Sequence, residues 1–249
     1  ELGIVIGRLP PGKLNAITDV PGVRVGHVTH HRGAGRLVPG KGPVRTGVTV
    51  ILPTSDDFWH SKVPAASFTL NGNGEMTGLH YVNEFGVLET PIVFTNTLAV
   101  GRALDGATQY MLRRFPAIGV DEPTVAPIVG ECDDSTLNDI RGLPLAVGRT
   151  GTVSCDGSGD LFLAFATGNR IPAEAKELTR TLREVDDGRL NPLFQAAEEA
   201  VEEAILNAMT TATTTFGYDD HVAHAIPLDR LREVMRRYGR LRQPEREAR

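Results

Sequence analysis

Residues 157–166 read Gly157-Ser158-Gly159-Asp160-Leu161-Phe162-Leu163-Ala164-Phe165-Ala166, a turn of small residues followed by an apolar run. The run leaves no polar face for water, so it predicts a buried strand over residues 161–166. The Ser158 hydroxyl, with the Asp160 carboxylate two positions later, suits a polar site that a substrate can approach closely, and an ordinary turn is the competing interpretation. The esterase motif is excluded, because there a strand precedes the serine and a helix follows it.

On the amino-terminal side of this stretch, the chain reads as short strands joined by Gly- and Pro-rich loops. The β-rich runs are residues 4–6, 23–28, 47–52, 67–70, 91–95 and 125–129, and the strand after Asp160 extends to residue 167. Apolar residues at helical spacing predict one helix over residues 99–115. This part of the chain is therefore predicted to be mixed α and β.

After Gly168 the pattern becomes helical. It predicts helices over residues 173–185, 191–209, with Asn191 as the N-cap, and 229–238, which buries Leu231, Val234, Met235 and Tyr238. No repeat or low-complexity linker divides the chain, so we expect one domain over residues 1–240 and a charged tail over residues 241–249.

Composition excludes several classes of protein. The net charge of −5 offers no excess of cations for a nucleic-acid backbone. No apolar run approaches the roughly 20 residues that span a bilayer, and no secretory signal is expected at residues 1–7. Two cysteines, Cys132 and Cys155, favour a reducing compartment, with the cytoplasm as the default.

The densest glycine cluster is Asn71-Gly72-Asn73-Gly74-Glu75-Met76-Thr77-Gly78, directly after the predicted strand 67–70. Its spacing misses the dinucleotide motif G-x-G-x-x-G, and no phosphate-loop lysine follows, so nucleotide binding is disfavoured. A turn with positive φ angles and a loop lining a ligand site are the two interpretations.

Histidine and cysteine give weaker signals. His30 and His31 point apart in an extended chain, and His221 and His224 have no obvious third ligand nearby, so we expect surface histidines and no metal site. Neither cysteine has a histidine in a context that marks a nucleophile.

Six segments occur in a characteristic order. They read Asn15-Ala16-Ile17-Thr18-Asp19-Val20-Pro21-Gly22-Val23-Arg24-Val25-Gly26-His27, Val44-Arg45-Thr46-Gly47-Val48-Thr49, Leu70-Asn71-Gly72-Asn73-Gly74-Glu75-Met76-Thr77-Gly78, Thr95-Asn96-Thr97, Leu137-Asn138-Asp139-Ile140 and residues 157–165. This order resembles the DmpA-type aminopeptidases, N-terminal-nucleophile serine hydrolases that include L-aminopeptidase/D-esterases and β-aminopeptidases.

The resemblance implies an α+β fold, a four-layer αββα sandwich of DmpA type. It implies a precursor that cleaves itself before a serine, whose amine and hydroxyl then act as base and nucleophile without metal or cofactor. The substrates would be short peptides, amides or esters with a free N-terminal amine, and the assembly a homo-oligomer. Ser158 and Asp160 match the supporting hydroxyl and carboxylate, Glu131 matches the acidic residue near the substrate amine, and Asn71 and Asn73 would line the cleft. A turn-capping or surface role is the alternative for Glu131.

The chain departs from the family between residues 141 and 156. Members carry a long stretch there, with an oxyanion-hole asparagine and the Gly-Ser cleavage site, whereas this chain shows a seam at Leu145-Ala146. The resemblance thus implies that the nucleophile segment is missing, either because the homologue is internally deleted or because the sequence is incomplete. The pairs Gly151-Thr152 and Gly157-Ser158 near the seam offer the only replacement hydroxyls, and replacement is the less favoured interpretation. The alternative function is a catalytically inactive binding protein of the same fold.

Overall fold

The computed structural model describes residues 2–4, 6–141, 159–174, 177 and 179–241. The chain divides into two compact units, one comprising Glu1–Pro11, Val185–Thr215 and Val222–Arg249, the other Gly12–Glu184 and Phe216–His221. Each is described separately below, and the single domain over residues 1–240 stays a prediction. The tail over residues 242–249 and the seam at residues 145–146 lie outside the described residues.

Two sheets form the larger unit. Its elements are β1 (Arg24–Arg32), β2 (Val44–Leu52), β3 (Ser61–Gly72), α1 (Leu79–Phe85), β4 (Val87–Leu88), β5 (Ile92–Thr95), α2 (Val100–Arg114), β6 (Ile128–Glu131), β7 (Gly159–Phe165) and β8 (Ile171–Pro172). The first sheet has the order β1-β2-β5-β6, and the second has the order β4-β3-β7 with β8 also paired to β3. The strand predictions at residues 23–28, 47–52, 67–70 and 91–95 are confirmed, and α1 was not predicted.

The main core fills the space between these two sheets. Its buried members include Val63, Leu88, Ile92 and Ile128, and α1 adds Leu79 and Val82. Because strand side chains alternate between faces, Val93 and Val129 lie on the opposite face of the first sheet. There they pack against Val100 and Ala107 of α2, which confirms the helix predicted over residues 99–115.

The strand after Asp160 exists as β7, but its predicted complete burial is wrong. Leu161, Leu163 and Phe165 pack against the core between the sheets. Phe162 projects from the other face and is 50% exposed, and its cross-strand partner Phe68 is 63% exposed. A wholly apolar run therefore encodes a strand with one buried and one accessible face, since the alternation of side chains is fixed by the backbone.

The helix predicted over residues 173–185 is absent from the part of this segment that the structure describes. Pro172 belongs to β8, which pairs with β3. Asn169 Nδ2 donates to the Arg183 carbonyl, 2.7 Å, and Arg183 N donates to Asn169 Oδ1, 2.9 Å. These non-local bonds satisfy the Arg183 backbone and replace the bonds that a helix would have used.

The smaller unit contains α3 (Asn191–Thr211) and α4 (Leu228–Arg237), and two short strands, β9 (Thr215–Phe216) and β10 (Val222–Ala223), lie between the helices in sequence. Both helices are confirmed, but Leu190 rather than Asn191 is the N-cap of α3, and Pro192 falls in its first turn. Leu231 and Met235 are only half-buried, and Val234 and Tyr238 are exposed, so the predicted burial along α4 is wrong. Among the described residues, every helix is too short or too polar to cross a bilayer.

Candidate active site

The carboxyl ends of β5 and β6 form one edge of the first sheet. These strands are parallel, with Thr95 level with Glu131, so the residues that follow each strand emerge at the same edge. Thr97 Oγ1 donates a short hydrogen bond to Glu131 Oε2. The half-buried carboxylate of Glu131 is thereby oriented by a side chain from the neighbouring strand end.

The glycine cluster connects this edge to the second sheet. Glu131 N donates to the Glu75 carbonyl, 2.9 Å, and Met76 forms an isolated bridge with Gly130. Gly78 has φ of 74° and precedes α1, so the positive-φ interpretation holds there, but Gly72 and Gly74 are outside that region. Gly74 therefore needs another explanation, whereas a Cβ on Gly72 would meet no atom within 4 Å.

That explanation is close backbone approach. A Cβ on Gly159 would lie 2.3 Å from the Asn73 carbonyl oxygen, a separation that real Cβ atoms do not adopt. A Cβ on Gly74 would lie 2.9 Å from Glu131 Oε1 and 3.5 Å from the Gly159 Cα. The loop, the start of β7 and the Glu131 carboxylate thus meet at a point where side chains are excluded.

Asp160 joins the same region through the pairing of β3 with β7. Asn71 lies opposite Asp160, just past a register irregularity that begins at Thr69. Asn71 Nδ2 donates to Asp160 Oδ2, 3.2 Å. Two half-buried carboxylates, Glu131 and Asp160, therefore flank the contact between Gly74 and Gly159.

The sequence-predicted residues are placed as follows. Asn71, Asp160 and Glu131 come together around the glycine contact, and Asn73 contributes its carbonyl to it while remaining exposed. Ser158, Thr152 and Cys155 lie outside the described residues. The role of each site residue stays a prediction.

Two buried polar atoms beside this edge have no hydrogen-bond partner within the described residues. They are Thr95 Oγ1 and Asn96 Oδ1, both on residues with no exposed surface. Asn96 Nδ2 makes a long bond of 3.4 Å to Thr46 Oγ1. Buried polar atoms without partners are rare in native proteins and need a partner from water, ligand or another segment.

A second polar cluster lies just beyond β6. Thr46 Oγ1 and Asn138 Nδ2 donate to the Asp134 carboxylate at 2.7 and 2.9 Å, and Arg45 N donates to Asn138 Oδ1 at 2.9 Å. Gly42 N donates to Asp139 Oδ2, 2.9 Å. Burial raises the pKa of the Asp134 carboxyl. This cluster fastens residues 42–46 to residues 134–139.

Cys132 lies between the two groups of carboxylates. Burial, with added repulsion from Glu131 and Asp134, raises the pKa of its thiol to about 11. The thiolate is the nucleophilic form, so this cysteine is inert near neutral pH. Among the described residues, no three His, Cys, Asp or Glu side chains are grouped so as to hold a metal ion.

Sequence reasoning did not assign a role to Thr97. It lay inside the segment Thr95-Asn96-Thr97, but the contact with Glu131 spans 34 residues and depends on the parallel pairing of β5 with β6. The sequence signal that could have indicated a role for Thr97 is a predicted strand followed directly by small polar residues.

Residues 15–146 and 141–223 match the model of peptidase family S58. The two matches overlap at residues 141–146, where the seam was predicted. The beta-peptidyl aminopeptidases BapA from Sphingosinicella xenopeptidilytica and Sphingosinicella microcystinivorans are each 42% identical over 53% of this chain. The matched part spans 32% of the length of these curated relatives.

Solved structures match over more of the chain. The PH0078 protein from Pyrococcus horikoshii OT3 superimposes with a TM-score of 0.90 at 35% identity, covering 96% of this chain and 99% of its own. A Burkholderia sp. beta-aminopeptidase gives 0.84 at 27%, covering 98% and 99%. The L-aminopeptidase D-Ala-esterase/amidase from Ochrobactrum anthropi, described as a variant of the Ntn hydrolase fold, gives 0.86 at 26%, covering 97% and 98%. The predicted α+β fold of DmpA type is confirmed.

Proposed function

Because this chain belongs to peptidase family S58, we propose that it acts as an aminopeptidase-type hydrolase on short peptides, amides or esters with a free N-terminal amine. The observation that carries the proposal is the Glu131 carboxylate, oriented by Thr97 and facing the side-chain-free contact of Gly74 with Gly159. That contact leaves no room for a side chain, so the loop backbone lies close to β7 and flanks the carboxylate.

Glu131 is proposed to bind the substrate ammonium. An α-amine has an ordinary pKa of about 7.7–8.0, so it is largely protonated at neutral pH and pairs with a carboxylate by charge-assisted hydrogen bonds. Thr97 holds one carboxylate oxygen, which leaves Oε1 on the side of Gly74. The arrangement favours the end of a chain over its interior, because an internal amide carries no charge.

Asp160, with Ser158, is proposed to support the reacting centre, and Asn71 and Asn73 to line the cleft. Asn71 holds the Asp160 carboxylate across the β3–β7 pair, and the Asn73 backbone closes on Gly159. This supports a site built across both sheets, in which the amine anchor belongs to one sheet and the supporting carboxylate to the other.

The nucleophile in relatives of this type is proposed to come from self-cleavage before a serine. In this chain, Thr152 and Ser158 are the candidate hydroxyls, and oxyanion donors and nucleophile act as a unit whose loss costs orders of magnitude in kcat. We therefore expect the 249-residue chain to hydrolyse an alanine amide far more slowly than a full-length relative.

A binding protein without hydrolysis is the second candidate. It is retained because the two family matches meet at residues 141–146, the position of the predicted seam. We further propose a homo-oligomer and a cytoplasmic location, which light scattering of the purified chain and fractionation of the source cells would test.

The test measures binding and turnover separately. Alanine amide binding is followed by calorimetry for the unchanged chain, for Glu131→Gln and for the control Glu75→Gln, an exposed glutamate of the neighbouring loop. We expect Glu131→Gln to weaken binding about tenfold, or ~1.4 kcal/mol, and Glu75→Gln to change it little. Equal effects of the two variants would refute the ammonium site.

Turnover and intact mass then separate the two candidate functions. Two fragments by mass spectrometry, with alanine release abolished by Thr152→Ala or Ser158→Ala, would identify a self-processed hydrolase and its nucleophile. A single mass with binding but no release would establish the inactive binding protein.

A further inference from the structure

The outer face of the first sheet carries a cavity beside α2. Strands β1, β2 and β5 form its floor and α2 forms a wall, and the cavity encloses about 750 Å³. This volume falls within the range of roughly 300–1,000 Å³ that small-molecule sites occupy. None of the residues of the candidate active site lines it, so it is a separate feature of the larger unit.

The inner surface of this cavity is apolar. Val48, Val50, Leu52 and Val93 cover the floor, and Ala103 and Ala107 line the helical wall. Gly26 and Gly106 also line it, and a Cβ placed on either glycine would meet no atom within 4 Å. The cavity therefore has room along its length for a chain of carbon atoms.

None of its lining residues is acidic, and three of them have polar side chains. They are Arg24 on β1, Arg102 on α2 and Tyr110 at the far end of the same helix. Within the described ranges of the chain, the side chains of these three residues make no ion pair or hydrogen bond. Two arginines and no acidic residue line this apolar cavity, and the resulting positive charge would be complemented by an anion.

We propose that this cavity binds an amphipathic carboxylic acid, an aliphatic chain of roughly ten carbons ending in one carboxylate. The chain lies on the valines of the floor, and the carboxylate pairs with Arg24 and Arg102, with Tyr110 as a further donor. Arginine suits this role because its planar fork matches the two oxygens of a carboxylate. Neutral and cationic amphiphiles of the same length lack the charge that completes the site.

The test uses decanoate below its micellar range, titrated into the full chain by calorimetry, with decan-1-ol as the neutral comparison. Gly106→Leu places a side chain in the cavity from a position where a Cβ meets no atom within 4 Å. Gly101→Leu is its control, because Gly101 is also a glycine of α2 with open space at its Cβ position but does not line the cavity. Arg24→Gln and Arg102→Gln remove the cations, and Arg113→Gln on the same helix is the matched charge control.

We expect Gly106→Leu to weaken decanoate binding at least tenfold, each cavity arginine variant to weaken it about tenfold, and both controls to bind as the unchanged chain does. Decan-1-ol should bind at least tenfold more weakly than decanoate. Equal binding of the alcohol and the acid, or unaltered binding by Gly106→Leu, would overturn the proposal. So would a dimer in sedimentation equilibrium that Gly106→Leu dissociates, because the occupant would then be a second copy of the chain.

Discussion

Two groups of acidic and amide side chains lie close to the end of β6, and their surroundings differ. Asn138 and Asp139 are each 1% exposed, and backbone N–H groups of Arg45 and Gly42 donate to them across more than ninety residues. Glu131 and Asp160 are half-buried, receive hydrogen bonds from the Thr97 and Asn71 side chains, and lie beside glycines.

The difference separates a structural polar group from a candidate functional one. A side chain that satisfies buried backbone donors cannot leave them without exposing an unpaired group, so it is committed to the fold. A half-buried carboxylate that is held by another side chain can exchange that partner for a ligand without leaving a buried backbone group unpaired. Asn138 and Asp139 come from segments that carry the family resemblance, and so does Asp160, so membership of such a segment does not separate the two groups and their contacts do.

The largest expected effect tests the structural group. Asn138→Ala removes the acceptor of the Arg45 amide and one donor to the buried Asp134 carboxylate, so we expect the free energy of unfolding to fall by about 2–4 kcal/mol. Urea unfolding measures it, with exposed Asn83→Ala as the control. A loss below about 0.5 kcal/mol would remove the distinction drawn above.

A smaller effect tests the close backbone approach at Gly159. Gly72 and Gly159 face each other across β3 and β7, yet only a Cβ on Gly159 meets the Asn73 carbonyl oxygen, at 2.3 Å. We expect Gly159→Ala to destabilise the fold by about 1–3 kcal/mol and to weaken alanine amide binding, and Gly72→Ala to stay within about 0.5 kcal/mol. Similar unfolding curves for the two variants would show that the close approach is not required.

The smallest effect extends the comparison to a third polar group, around His60. Its ring nitrogens contact Glu122 Oε1 at 2.7 Å and Asp57 Oδ2 at 2.6 Å. The Glu122 contact first, and then the Asp57 contact, raise the pKa of His60 above its ordinary value. A histidine with a raised folded-state pKa stabilises the fold below its unfolded pKa of about 6.5, and the contribution disappears as the pH rises through the folded value.

His60→Gln should therefore lower the melting temperature more at pH 5.5 than at pH 8.5. Scanning calorimetry at both values measures this, with exposed His80→Gln as the control that shows no such difference. A pH-independent loss would mean that His60 acts through packing against Phe115 instead of through its charge.

The periodicity of apolar residues predicted secondary structure correctly where a single segment determines it. The prediction failed where hydrogen bonds to residues elsewhere in the sequence determine the backbone conformation. The spacing of Val100, Ala103, Leu104, Ala107 and Met111 was enough for α2, because a helical stripe and its buried face are properties of one segment. Residues 173–185 have helical composition, but Asn169, distant in sequence, takes both backbone bonds of Arg183. Tertiary contacts of this kind override the helix propensity of a segment.

The candidate site shows the same limit. The resemblance implied that Asn71, Asp160 and Glu131 share one cleft, and the structure brings the three residues together. Their order in the sequence does not show which strand pairings do this. The pairing of Thr97 with Glu131 follows from a parallel strand register, which apolar runs do not encode. The complete burial predicted for residues 161–166 failed since composition cannot show whether a second layer covers a sheet face.

The parallel pairing of β5 with β6 also bears on how the chain is made. Parallel strands need a crossover, and here α2 lies in the connection, so Thr97 and Glu131 meet only after the intervening residues have folded back. Asn71 meets Asp160 across a separation of 89 residues. Contacts between residues this far apart in sequence form slowly. The chain is also synthesised from its N-terminus, so the earlier of two contacting residues is available first. On the ribosome, the sheet edge that carries Glu131 can therefore form before Asp160 has emerged, and the inner face of β3 is not covered by β7 until then.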